Sequence, residues 1–257
     1  MAPMRPYYAE RGLSAAFYDT VTAADALLEG DLAIYAGLAP RGGTVLDLGA
    51  GTGRLTLALA EHGFSAVGVE IAPAMLAQAL AKQADLPPEV ARRAEFLRGD
   101  MTALDLKRVF DLVVCGYFTL AHAPRGMAWR ATFATAARHL KPGGLAAFHL
   151  PLVEIMRLPG PADPGLAVFD RPTPSGGRLR LYVRERTFDE DLGRLDQVIE
   201  YVELDARGET LRQSLEHMVY YVADPAPLAA AEGLVPDRPP IPLGGVGEIH
   251  VFAKAES

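Results

Sequence analysis

The sequence predicts an α/β protein built on a doubly wound parallel sheet, and three observations carry that prediction. Strand-like and helix-like segments alternate through the first 150 residues, a pattern that places helices on both faces of a parallel sheet. One apolar run, Thr44-Val45-Leu46-Asp47-Leu48, leads into a three-glycine loop, Gly49-Ala50-Gly51-Thr52-Gly53, that opens a helix. A second apolar run, Val67-Gly68-Val69, ends in Glu70.

The elements follow in order. Short apolar runs give strands at Val45–Leu48, Ala66–Glu70, around Phe96, at Leu112–Gly116 and at Ala146–Leu150. Between them, helical spacing gives Arg54–His62, Pro73 to about Gln83 and about Arg125 to Leu140. Pro73 suits a first helical turn, and Gly143-Gly144 is expected to stop the third helix. Ligands of such sheets bind at the carboxyl ends of the strands, where the glycines, Glu70, Asp100 and Tyr117 fall. After Leu150 the chain changes character. Five prolines between Arg157 and Gly177 predict an irregular loop. Three alternating stretches, Leu179–Phe188, Arg194–Leu204 and Thr210–Val222, predict an antiparallel meander. A short helix near Pro225–Glu232 and a strand at Ile249–Ala253 complete the sheet. The expected organisation is an N-terminal helical segment (1–43), a core (44–150), an inserted loop and meander (151–223) and a closing helix and strand (224–257).

The glycine loop points to a ligand. Glycines let backbone approach a bound group where any Cβ would collide, and the helix that follows presents free N–H groups. Glu70 stands where a carboxylate can take the hydroxyls of a ribose. A bare strand-to-helix turn without ligand is the plainer alternative, and the two acids argue against it. A dinucleotide fingerprint requires G-x-G-x-x-G, and here the third-glycine position is Arg54. The chain reads D-x-G-x-G-x-G instead. Asp47 would repel a pyrophosphate but suits a ligand carrying an ammonium and a sulfonium.

At these residues the chain resembles the class I S-adenosylmethionine-dependent methyltransferases. Three further segments match in order: Gly99-Asp100-Met101 after the third strand, Cys115-Gly116-Tyr117 ending the fourth, and His139-Leu140-Lys141-Pro142-Gly143-Gly144-Leu145 before the fifth. The resemblance implies a Rossmann-like fold with S-adenosyl-L-methionine as cofactor. Asp47, Gly49 and Gly51 would hold its methionine portion, Glu70 its ribose, and Asp100 with Met101 its adenine. Ala50, Ile71, Gly99, Cys115, Gly116 and Tyr117 would complete the cofactor contacts, and Tyr18 of the Tyr18-Asp19 pair would lie over the pocket, with ordinary helix packing onto the core as its alternative. The inserted meander narrows the resemblance to small-molecule enzymes such as sugar N,N-dimethyltransferases and glycine-type N-methyltransferases. It implies a roof over the substrate or a homodimer interface. The Pro- and Gly-rich stretch Val235–Gly247 departs from the family, which has a clear sixth strand there.

Methyl transfer from a sulfonium is an in-line displacement. Alignment of the reactants can supply about 7–11 kcal/mol of the barrier, whereas a general base contributes about 3–5 kcal/mol. Positioning therefore outweighs proton transfer. His122, six residues into Tyr117-Phe118-Thr119-Leu120-Ala121-His122, is the first candidate for orienting or deprotonating the acceptor, with Tyr117 closing the site. The competing expectation is that His122 caps the next helix. His149 is expected to be a hydrogen-bonded core histidine, and His62, His139 and His250 surface or turn residues. The face that His217 joins depends on a one-residue register. Cys115 reads as a small residue ending a buried strand. No Cys/His cluster has zinc spacing, the fourth strand ends without carboxylates, and no Asn-Pro-Pro-aromatic motif follows it, so a metal-free enzyme acting on a small molecule is expected.

Composition sets outer bounds. The chain has 257 residues, half of them apolar, and a net charge of −7, which argues against a nucleic-acid partner. No apolar run approaches the ~20 residues of a membrane span, and no secretory signal is apparent. A single cysteine favours a reducing cytoplasm. The expected function is metal-free methyl transfer from S-adenosylmethionine to a small-molecule amine or hydroxyl. The rivals are a nicotinamide-dependent oxidoreductase and a non-catalytic S-adenosylmethionine-binding protein.

Overall fold

The computed structural model describes residues 4–23 and 28–255. From the N-terminus the elements are β1 (Met4–Pro6), α1 (Leu13–Ala16), α2 (Tyr18–Thr22) and α3 (Asp31–Leu38). Next come β2 (Thr44–Leu48), α4 (Arg54–Glu61), β3 (Ser65–Glu70), α5 (Pro73–Ala84), α6 (Pro88–Ala91) and β4 (Ala94–Arg98). They are followed by β5 (Phe110–Cys115), a 3-10 turn (Thr119–His122), α7 (Met127–Arg138) and β6 (Leu140–Pro151). The remainder is α8 (Val153–Met156), β7 (Phe169–Pro172), β8 (Arg178–Asp189), β9 (Arg194–Leu204), β10 (Thr210–Tyr221), α9 (Ala226–Ala230), β11 (Leu234–Pro236), β12 (Ile241–Leu243) and β13 (Gly247–Lys254).

These elements form two compact units. One comprises residues 25–152 and 222–257, the other residues 1–24 and 153–221. The larger unit is the α/β part. Its sheet runs β11-β13-β6-β5-β2-β3-β4, with β12 paired to β13. β2 through β6 are parallel to their neighbours, and β13 returns antiparallel to β6. From β2 the chain steps outward through β3 to β4, then crosses back to β5 on the other side of β2. That reversal makes β2/β5 the topological switch point, where open α/β sheets bind ligands. On one face, Tyr35 and Leu38 of α3 and Leu55 and Leu59 of α4 pack on Val45, Leu112, Val114, Ala147, Ile249 and Val251. On the other, Phe133 of α7 meets Phe148 and Phe252 edge-on, at centroid distances of 4.8 and 5.9 Å.

The smaller unit carries the five-stranded sheet β1-β10-β9-β8-β7, in which only β1 is parallel to its neighbour. Leu13 and Phe17 cover Leu179, Leu181, Ile199, Tyr201 and Met218. At the centre of that face Glu216, fully buried, accepts the Leu13 and Ser14 N–H groups at 2.6 and 3.1 Å and the Ser214 hydroxyl at 2.6 Å.

Several expectations change. The segment 1–43 is not uniformly helical: Met4–Pro6 is a strand against Leu215–His217, and only α3 belongs with the α/β unit. The Pro-rich stretch contains β7, held by Asp170 between Arg178 and Arg180. The Val235–Gly247 region supplies β12 and most of β11, and both pair with β13. The third helix stops at Arg138, ahead of the Gly143-Gly144 pair, which lies inside β6 where the register against β5 shifts.

Candidate functional site

The glycine loop stands at the carboxyl end of β2. The Gly49 and Ala50 N–H groups both donate to the Val69 carbonyl, at 2.8 and 3.0 Å, which ties the loop to β3. Gly49 has φ +75°, and a Cβ there would overlap the methyl of Thr119, which follows β5. The loop therefore fills the switch point with backbone alone. Gly53, at φ +81°, serves packing: a Cβ would lie 2.7 Å from the Phe96 ring and 3.1 Å from Ala79. That is the role a dinucleotide fingerprint gives its third glycine, here displaced by one residue.

Displacing the glycine frees position 54 for a charge. Arg54 forms a two-pronged ion pair with Asp31 at the start of α3, at 3.2 and 2.5 Å, with the Asp31 side chain 3% exposed. Such an arginine fixes α3 beside the loop. Asp47 is buried, and its Oδ2 accepts the Thr56 hydroxyl at 2.7 Å. Burial pushes its carboxyl up to about 6, against the Thr56 hydrogen bond and the nearby Arg54 charge. At neutral pH such an acid is still mostly ionised, a buried charge that an approaching cation stabilises. Glu70 is buried at the end of β3 and spans the loop: Oε2 accepts the Gly51 N–H at 2.8 Å and Oε1 the Ala72 N–H at 2.7 Å. Lys82 of α5 donates to the Thr52 hydroxyl at 2.8 Å.

Around these groups lie the other predicted cofactor residues of this unit. Ile71, next to Glu70, leaves 59% of its surface exposed, an apolar side chain available to a flat ring. Asp100 is exposed, and its Oδ1 accepts both the N–H and the hydroxyl of Thr102, at 2.8 and 2.7 Å. The Gly99 N–H donates to the Glu70 carbonyl at 3.1 Å, so Gly99, Asp100 and Met101 follow directly beside Glu70. Cys115 is fully buried, and burial pushes its thiol far above the ordinary range, as suits a small residue ending a buried strand. After Gly116, Tyr117 and Phe118 adopt left-handed φ of +45° and +61° in succession. Two aromatic residues in that region are strained, a cost met at functional turns. The Tyr35 hydroxyl, which carries no signal in the sequence, is buried without a hydrogen-bond partner among the described residues, 3.6 Å from where a Gly116 Cβ would stand.

The structure brings Asp47, Gly49, Ala50, Gly51, Glu70, Ile71, Gly99, Asp100, Met101, Cys115, Gly116 and Tyr117 to the carboxyl ends of β2 through β5. Tyr18 belongs to the other unit, where its ring meets Tyr8 edge-on at 5.9 Å. His122 ends the 3-10 turn; α7 begins at Met127 with Gly126 in the N-cap position, so His122 does not cap it. His139 is a buried structural residue and not a surface one: Nδ1 pairs with the Thr135 carbonyl at 2.7 Å and Nε2 accepts the Leu106 N–H at 2.9 Å. His217 pairs with Asp196 at 2.8 Å, on the meander face opposite Leu13 and Phe17. His149 is buried as expected but has no hydrogen-bond partner among the described residues.

The loop, the acids and the switch point fit a nucleoside with a cationic tail, and comparison with known proteins agrees. Residues 45–144 match the family model of the methyltransferase domain. The curated relatives that the chain matches are spanned over about 40% of their length, and the matched segment lies in the α/β unit. It includes the glycine loop, Glu70, Asp100, Tyr117 and His122. The cypemycin N-terminal methyltransferase of a Streptomyces species is 38% identical over 105 residues, which span 41% of this chain and 40% of that relative. The CcbJ methyltransferase from Streptomyces caelestis superposes with a TM-score of 0.74 at 21% identity, covering 98% of this chain and 99% of that one. SAM-bound CalS10, an amino pentose methyltransferase from Micromonospora echinaspora, gives 0.71 at 22% identity, with coverages of 93% and 96%. The fold of the methyltransferase domain and of the elements around it is thus the Rossmann-like methyltransferase fold.

Proposed function

We propose that the protein transfers a methyl group from S-adenosylmethionine to a small-molecule acceptor, with an amine as the preferred nucleophile. The observation that carries this reading is the D-x-G-x-G-x-G loop at the switch point, closed by Glu70 on the Gly51 N–H and flanked by the buried Asp47. When bound, the cofactor supplies an electrophilic methyl on a sulfonium. The chain's own part is placement. Glu70 receives the ribose hydroxyls. Asp47, its charge stabilised by the ammonium, holds the methionine end. Ile71 and Met101 border the adenine, with Asp100 at its amino group. Tyr117 closes the site beside the strained turn, and His122 orients the acceptor. The amine preference rests on the N-terminal amine and amino pentose chemistry in the relatives' names.

The buried lone Cys115 suits a reducing cytoplasm. A homodimer through the meander is supported by Val202, Leu215 and Val219, which share one face of β9 and β10 and are only half-buried; light scattering of the purified chain tests it. The activity itself is tested by incubating the protein with labelled S-adenosylmethionine and a panel of amino sugars and peptides with free N-termini. Label in an amine product supports the reading. Cofactor binding with no transfer to any amine or hydroxyl would favour a binding protein. His122→Ala is expected to slow transfer and leave cofactor affinity unchanged; full activity would return His122 to a structural part.

A further inference from the structure

Both ring nitrogens of His149 are buried without a hydrogen-bond partner among the described residues. A buried imidazole ordinarily satisfies at least one of them, because a lone polar group away from water costs stability. The surroundings show where this one stands. His149 lies near the carboxyl end of β6, opposite Ile249 of β13. Its ring centroid is 4.4 Å from that of Phe118, the second residue of the strained turn after β5. Gly247 opens β13 beside both rings: a Cβ there would come within 2.5 Å of Phe118 and 2.7 Å of His149 Nε2. Strand alternation puts His149 on the same face as Ala147, which packs with Tyr35 and Leu55. Of the two other orphaned groups among the described residues of this unit, the Tyr35 and Thr135 hydroxyls, that of Tyr35 therefore belongs to the same face.

Burial holds the imidazole down at about 4, and the Arg54 and His250 charges act in the same direction. At neutral pH it is an uncharged ring with one N–H donor and one bare nitrogen. That makes it a poor base but a fitting hydrogen-bond partner for a neutral amine or a hydroxyl.

We propose that His149 is a positioning residue for the methyl acceptor, hydrogen-bonding the amine or an adjacent hydroxyl of a molecule laid against Phe118. This rests on the methyl-transfer reading, so the test begins with S-adenosylhomocysteine binding to the wild-type chain. No binding would remove the parent reading and this one with it.

Given binding, His149→Leu and His149→Phe are melted alongside wild type, and His149→Gln restores one polar group. A histidine kept for the acceptor gives the fold no hydrogen bond to lose, so at least one apolar variant that fills its space should melt within about 2 °C of wild type or above it. Both should bind S-adenosylhomocysteine within about twofold. Transfer to the acceptor that the wild type methylates in the amino sugar and peptide panel should fall by about 100-fold in kcat/KM, mainly through KM, and His149→Gln should recover about a tenth of the wild-type value. If both apolar variants melt more than about 5 °C lower, the ring is paired inside the core and the proposal fails. It also fails if either apolar variant transfers methyl at the wild-type rate.

Discussion

Replacing Glu70 separates the ribose reading from a purely structural one, and the geometry decides which substitution is informative. The carboxylate accepts two backbone N–H groups, from Gly51 at 2.8 Å and Ala72 at 2.7 Å, and is 8% exposed. A hydrogen bond to a charged group contributes about 1.5–3 kcal/mol. Alanine removes both and leaves two buried donors unmet, a cost of about 3–6 kcal/mol against a whole-domain stability of about 5–15 kcal/mol. Glu70→Ala would therefore disturb the loop itself, and weak binding in that variant would prove little. Glutamine keeps one carbonyl oxygen for one of the donors, which halves the loss to about 1.5–3 kcal/mol. Glu70→Gln should stay folded while S-adenosylhomocysteine binds at least about tenfold more weakly, a loss of about 1.4 kcal/mol. Urea denaturation and titration calorimetry on the same preparations give the two numbers. Wild-type affinity in Glu70→Gln would show that the carboxylate only braces the loop. A Glu70→Ala chain as stable as wild type would refute the account of the two hydrogen bonds.

Asp47 runs opposite to a salt-bridged acid. Burial raises its folded pKa to about 6, above the unfolded value of about 3.9, so the folded chain binds the proton more tightly. Its contribution is most favourable below about pH 4 and is lost as the pH rises through about 6, a swing of about 3 kcal/mol. Asp47→Asn should therefore be at least as stable as wild type at pH 7, with the advantage vanishing below pH 4 in urea melts, while S-adenosylhomocysteine affinity falls; a difference that does not change with pH would contradict this. Gly49→Ala meets a left-handed φ and the Thr119 methyl, so it should cost about 2–4 kcal/mol, and adding Thr119→Ser should recover part of that loss in the same melts. Arg54→Ala strands Asp31 in the interior and should cost about 3 kcal/mol, with partial recovery on adding Asp31→Ala; additive losses in the double-mutant cycle would show that the ion pair carries no coupling.

The parallel strands were legible because each is a continuous apolar run bounded by turn residues, and the helices between them because their apolar spacing is local. The meander was legible because Leu179, Leu181 and Val183 alternate with polar residues. Elements that depend on a distant partner were not. Met4–Pro6 becomes a strand only through Leu215–His217, and Phe169–Pro172 only because Arg178–Leu181 pairs with it. The glycine loop and its two acids were readable as one corner of the sheet, since they lie within one short stretch. What stands around it was not: Asp31 comes to Arg54, and Thr119 to Gly49, from separate elements. His139 and His149 show the limit plainly. Both are buried histidines, and only tertiary contacts reveal that His139 is fully paired and His149 is not.

The central claim is that the loop between Asp47 and Glu70 is built for S-adenosylmethionine and not for a dinucleotide. Titration calorimetry of the purified chain with S-adenosylhomocysteine and, separately, with NADH tests it most directly. The account predicts saturable binding of S-adenosylhomocysteine, weakened in Glu70→Gln, and none of NADH. Binding of NADH alone would contradict it.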